Sequence, residues 1–179
     1  MSQGTLYVNQ RIRGWLPKAI VKHLSLDVNV VNTEESLEQF SKDFPLKKIP
    51  GFAGPNGFKL TEVIAILFYL VNLSSDEETK NTLLGEDVAT KAQVLRWVSL
   101  ANTDLCSQLV SAFTPLRGDV PYNKKQIDTA LVAVEKIVEV YESRLKEYTY
   151  LVGEEITLAD LFSATIFTRG FNYLFGEEW

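Results

Sequence analysis

Cysteine is nearly missing from this chain. Of 179 residues only Cys106 carries a thiol, which excludes an intrachain disulfide framework and fits a reducing compartment. Histidine is as scarce: His23 stands alone, without a cysteine or second histidine at ligand spacing, so no metal motif can be read. Long apolar runs are missing too. The longest, Val63 to Val71, is interrupted only by the Tyr69 hydroxyl and falls far short of the roughly 20 residues that span a bilayer. There is no basic excess, since 18 Lys and Arg face 23 Asp and Glu. Residues 1–80 balance at nine of each sign, whereas residues 81–179 hold nine basic against fourteen acidic groups. A nucleic-acid surface needs a net basic patch, and the isolated pairs Lys47-Lys48 and Lys124-Lys125 do not make one. Internal repeats and low-complexity segments are absent. Met1-Ser2-Gln3-Gly4 opens directly into a strand-like run without the charged-then-apolar plan of a signal peptide, so the expected compartment is the cytoplasm.

What is present is core-forming material, 46% hydrophobic and 11% aromatic, enough for a sizeable packed interior. Thr5 to Val8 reads as a strand. Trp15, Leu16, Ala19, Ile20, His23 and Leu24 follow at helical spacing, with Pro17 tolerable only in the first turn. Asp27 to Val31 reads as a second strand, and Asn32 with Glu35 as a capping box for a helix carrying Leu37 and Phe40. A Pro45–Pro50 loop precedes a hairpin: Phe52-Ala53, the turn Gly54-Pro55-Asn56-Gly57, then Phe58 to Leu60. Thr61 is expected to cap a helix from Glu62 to Asn72. The order β-α-β-α-β-β-α fills residues 1–75.

Ser74 to Asp87 is polar and reads as a linker. Beyond it, residues 88–179 are helical throughout. Val88 to Phe113 carries a stripe of Leu95, Val98, Leu105, Leu109 and Phe113, and Thr114 to Pro121 is expected to break it. Asn123 and Gln126 read as a reciprocal capping pair. They open a helix whose seam is Ile127, Leu131, Val134, Val138, Tyr141 and Leu145. Thr157 and Asp160 form a second such pair before Leu161 to Phe167. The aromatics Phe162, Phe167, Phe171, Tyr173 and Phe175 read either as a partner-facing surface or as residues packing on further sequence.

One juxtaposition can build a pocket. The residue before a proline is pushed toward extended geometry, so Ile49 offers a strand-like backbone edge. Glu62 stands beside the free N–H groups of a helix N-terminus, which attract an anion such as a ligand carboxylate. A tight turn and a helix acid favoured by the dipole is the plainer reading.

The strand Leu6-Tyr7, the loop Lys48-Ile49-Pro50, the Leu60-Thr61-Glu62 helix start and the Ile156-Thr157-Leu158-Ala159-Asp160 cap resemble the glutathione S-transferase fold. That resemblance implies an α/β thioredoxin-like N-terminal domain, an all-α C-terminal domain and a cis bond at Pro50. It also implies that the chain, ending at Trp179, stops before the fold's last helices. Gly4-Thr5-Leu6-Tyr7, Phe44 to Pro50, Leu95 to Asn102, Pro121 to Lys125 and Tyr148 to Asp160 are more specific. They resemble the N-terminal domain of the gamma subunits of the eukaryotic translation elongation factor 1B complex, most like the fungal members.

The resemblance implies a glutathione-like site at Lys48, Ile49, Pro50, Glu62 and Val63. Ile49 would pair with the cysteinyl backbone of glutathione, and Glu62 would hold the γ-glutamyl group. Val63 replaces the family's usual serine; one missing charge-assisted hydrogen bond weakens glutathione by about tenfold or more. Glutathione is thus expected as a weak ligand, with no other cofactor. Tyr7 is the candidate thiol-activating hydroxyl of a transferase or peroxidase, or a packed strand residue. The serine-type alternative is lost, because Gln10-Arg11-Ile12-Arg13-Gly14 has no hydroxyl. Cys106 and His23 are expected to be structural. The implied function is a non-catalytic scaffold. Its partners would be the exchange subunit (alpha/beta) of the elongation factor 1B complex and, indirectly, the elongation factor 1A GTPase, with a homodimer as a further assembly.

Overall fold

A computed structural model describes residues 2–176, with two units meeting at Leu84 and Gly85. The first begins with β1 (Gly4–Val8), whose Leu6 and Val8 are buried and which pairs in parallel with β2 (Val28–Asn32). A single 3-10 turn, Ile12–Gly14, leads into α1 (Trp15–His23), with Pro17 in its first turn. After α2 (Leu37–Asp43), strands β3 (Gly51–Ala53) and β4 (Lys59–Thr61) form the hairpin. Its register pairs Phe52 with Leu60, around a turn in which Asn56 adopts a left-handed φ of 55°. The mixed sheet runs β2-β1-β3-β4. Helix α3 (Val63–Asn72) is apolar nearly throughout and buries Val63, Ile66, Leu67, Leu70 and Val71.

Three local expectations for this unit give way. Asn32 ends β2, and its side chain accepts from Glu34 N–H in a turn; α2 begins at Leu37 with no side-chain cap, and Leu37 is exposed. Thr61 closes β4, so the residue preceding α3 is Glu62, which makes no side-chain cap. The polar stretch after Ser74 holds the boundary between the two units but is not linker throughout, for α4 (Glu77–Leu84) forms within it. Asp76 caps that helix by accepting from the Glu78 and Thr79 amides, and the pair Leu83-Leu84 is buried. An apolar contact confined to two residues leaves no periodic signature.

The second unit is all helical. Helix α5 (Val88–Ser99) is capped by Asp87 and passes through a π-helical turn, Leu100–Leu105, into α6 (Cys106–Arg117). There the Cys106 N–H reaches the carbonyl of Ala101, five residues back. The extra residue per turn shifts the inward face. Val94, Trp97, Val98 and Ala101 are buried before it and Leu105, Leu109, Ala112 and Phe113 after it, while Leu95 is exposed. Helix α6 runs past Thr114, and the expected break comes at Gly118, inside Thr114–Pro121. It carries Pro115 in its last turn and ends at Gly118, φ 81°, with Asp119 N–H bonding the Thr114 carbonyl and Gly118 N–H that of Pro115.

Helix α7 (Lys124–Leu145) is capped by Asn123, whose side chain accepts from Gln126 N–H. The Gln126 side chain does not reciprocate; it donates to the Ser111 carbonyl instead. The seam of α7 is Ile127, Ala130, Val134 and Tyr141, with Leu131 and Val138 half-buried and Leu145 exposed. Helix α8 (Leu158–Tyr173) opens on a capping box. Thr157 Oγ1 accepts from Ala159 N–H, and the Asp160 carboxylate accepts from Thr157 N–H and from Leu151 N–H. Phe162 is buried, Phe167 packs edge-on against Tyr141 at 5.0 Å, and Phe171 is exposed. The Tyr173 side chain and Glu177-Glu178-Trp179 lie outside the described residues. Among the described residues, no helix is long and apolar enough to cross a membrane.

Candidate functional site

Tyr7 lies at the buried end of β1, where its ring meets Phe40 at 5.6 Å and Phe44 at 5.8 Å, with Val31, Ile49 and Ala53 against the same cluster. Burial raises its phenol above the ordinary value; the Asp43 carboxylate adds to that and Lys59 opposes it. The group is a protonated hydrogen-bond donor at neutral pH and not a base. The segment after it is used structurally: Trp15 Nε1 donates to the Gln10 carbonyl, and Arg11 N–H to Asn9 Oδ1.

The Ile49–Pro50 bond is cis. Sheet pairing starts immediately after it, at Gly51 with Thr61, which leaves the Ile49 backbone just outside the ladder. Glu62 follows β4 with φ 67° and ψ 119°. A non-glycine residue in that region costs on the order of 1–3 kcal/mol, so the hairpin and α3 must hold it in place. Val63 is buried, its side chain in the core, and offers a ligand only its N–H.

Lys48 and Glu62 come together in a cleft of about 200 Å³. It is also lined by Asp43 to Leu46, Lys59 and Thr61. Tyr7, Ile49, Pro50 and Val63 are not among the residues that line it. Sequence reasoning missed a pair at the cleft wall. Lys59 Nζ is 2.6 Å from Asp43 Oδ1, and Gln39 donates to the same carboxylate at 2.7 Å. These hydrogen bonds, Lys59 first, hold the Asp43 carboxyl below its ordinary range. The cleft thus offers one cation and one anion, Lys48 and Glu62, beside an internally neutral pair, a combination suited to a small zwitterion. No cluster of metal-ligating side chains occurs among the described residues. Cys106 is buried, and His23 is exposed at the end of α1.

Comparison with known proteins matches both units. The profile of the glutathione S-transferase N-terminal domain covers residues 2–72, and that of the C-terminal domain covers residues 103–178. The crystal structure of the glutathione S-transferase-like domain of elongation factor 1-gamma from Saccharomyces cerevisiae superposes with a TM-score of 0.92. It is 57% identical and covers all of this chain, which spans 83% of it. The chain belongs to the elongation factor 1-gamma family.

Two further family members from the same yeast agree. Elongation factor 1-gamma 1 is 58% identical over 181 residues, and elongation factor 1-gamma 2 is 44% identical over 179. All of this chain is matched in both, but it spans only 44% and 43% of their lengths. This member of the elongation factor 1-gamma family is therefore comparable with the transferase-like part of those relatives.

Proposed function

We propose that this chain is a non-catalytic interaction module of the translation elongation factor 1B complex. It anchors the exchange subunit (alpha/beta) and thereby supports GDP release from the elongation factor 1A GTPase in the cytoplasm. The identity across the whole chain to elongation factor 1-gamma relatives carries this reading. The site supports it: the candidate hydroxyl, Tyr7, is packed among Phe40 and Phe44, and Gln10 to Gly14 supplies no replacement. A pull-down of purified exchange subunit by this chain tests it; no retention under conditions where both are folded overturns it.

The Lys48–Glu62 cleft favours a subsidiary reading, weak glutathione capture without turnover. The rival is a transferase or peroxidase that uses Tyr7. Conjugation of a chlorinated aromatic substrate, lost in Tyr7→Phe, would support the rival; no conjugation, or conjugation unchanged by the substitution, removes Tyr7 from that role.

A further inference from the structure

The first 26 residues hold Arg11, Arg13, Lys18 and Lys22 and no acid; Asp27 is the first carboxylate in a chain of net charge −5. Helix α1 carries two of these cations, Lys18 and Lys22, on one side. Leu16, Pro17, Ile20 and Val21 are buried, which leaves Trp15, Lys18, Ala19, Lys22 and His23 on the other face at helical spacing. Arg11 is exposed one turn earlier. Trp15 is 39% exposed, and its indole N–H is tied to the Gln10 carbonyl, which holds the ring in place. Arg11, Lys18 and Lys22 take part in none of the ion pairs formed among the described residues. The helix dipole accounts for Lys22 and His23 in the last turn, but not for Arg11, which precedes a first turn where an acid would be favoured.

We propose that this face docks an acidic peptide segment of a partner protein. Its carboxylates lie against Arg11, Lys18 and Lys22, and one of its apolar or aromatic side chains lies on Trp15. The dimensions agree: nine residues of helix rise about 13 Å, the length of roughly four residues of extended peptide. Charge favours a short acidic segment over a nucleic acid or an anionic membrane. Three cations neutralise a few carboxylates, whereas a long polyanion would also meet the repulsion of the 23 acids elsewhere. The proposal needs only the α1 face and stands independently of the exchange-subunit reading.

Fluorescence anisotropy of the full chain with a labelled Asp/Glu-rich hexapeptide containing one tryptophan tests it. The expected result is saturable binding that weakens with salt and falls roughly tenfold or more in Arg11→Glu/Lys18→Glu/Lys22→Glu. Lys136→Glu/Lys146→Glu, on the other unit, should leave it unchanged. Circular dichroism checks that each variant is folded, and the neutral set Arg11→Gln/Lys18→Gln/Lys22→Gln should give an intermediate loss. Absence of saturable binding, equal binding by the reversed variant, or tighter capture of single-stranded RNA or phosphatidylserine vesicles by the same residues overturns the proposal.

Discussion

The Gln126 side-chain amide donates to the Ser111 carbonyl at 3.0 Å, the carbonyl that Pro115, having no N–H, leaves without its helical donor. A proline near the end of α6 and a glutamine in the first turn of α7 thus form one device, which satisfies a half-buried backbone acceptor between two packed helices. Gln126→Ala should destabilise the chain by about 1 kcal/mol. In a Pro115→Ala background, where the amide is restored, the same change should cost clearly less. Denaturant midpoints of the four proteins measure the coupling; strictly additive effects would separate the two residues.

The Asp160 carboxylate bridges the α8 N-terminus to the loop before it, accepting from Thr157 N–H at 2.9 Å and Leu151 N–H at 2.8 Å. Asp160→Ala should therefore cost more than Thr157→Ala, about 2 against about 1 kcal/mol, in thermal or denaturant unfolding. Equal losses would reduce Asp160 to an ordinary first-turn acid.

The Asp43–Lys59 pair gives a pH signature. Its carboxyl is held below the ordinary 3.8, so its stabilisation is fully present above that value and is lost as pH falls through the lower folded-state value. The pair is partly exposed, and its worth at neutral pH is about 0.5–1 kcal/mol. Lys59→Met should be less stable than the parent at pH 7, and the gap should close as the solution is taken well below pH 3.8. A gap that widens on acidification would assign the stability to other groups.

Glu62 sits at a positive φ of 67°. Glu62→Gly should relieve that strain and raise stability by about 1 kcal/mol, while removing the acid that faces the cleft with Lys48. Glu62→Gln keeps the strain and loses only the charge. If the cleft captures glutathione, both variants should weaken retention on immobilised glutathione, and only the first should unfold later. Retention unaffected by either would place any glutathione elsewhere.

The legible parts of this fold were those written locally. Thr157 and Asp160 stand three residues apart, and the structure joins them in one cap. The hairpin around Pro55-Asn56-Gly57 was likewise readable from its turn residues. Readings failed where a second element decided. Gln126 matched a reciprocal cap, but the acceptor orphaned by Pro115 took its side chain. Leu95 fitted the stripe of an unbroken helix, but the π-helical turn at Leu100–Leu105 changed which residues face inward. For the cleft, Lys48 and Glu62 could be paired from the loop and the helix start. Asp43 and Lys59 could not, because they lie on different elements and neither position is marked by a motif. Tyr7 shows the limit for function: its place at the end of β1 suits a transferase, and only the packed rings of Phe40 and Phe44 show how enclosed it is.

Light scattering after size-exclusion chromatography of this chain mixed with purified exchange subunit decides whether the two assemble. One peak heavier than either protein alone is expected, formed equally well by Tyr7→Phe. Separate elution of the two proteins at micromolar concentration would contradict their assembly.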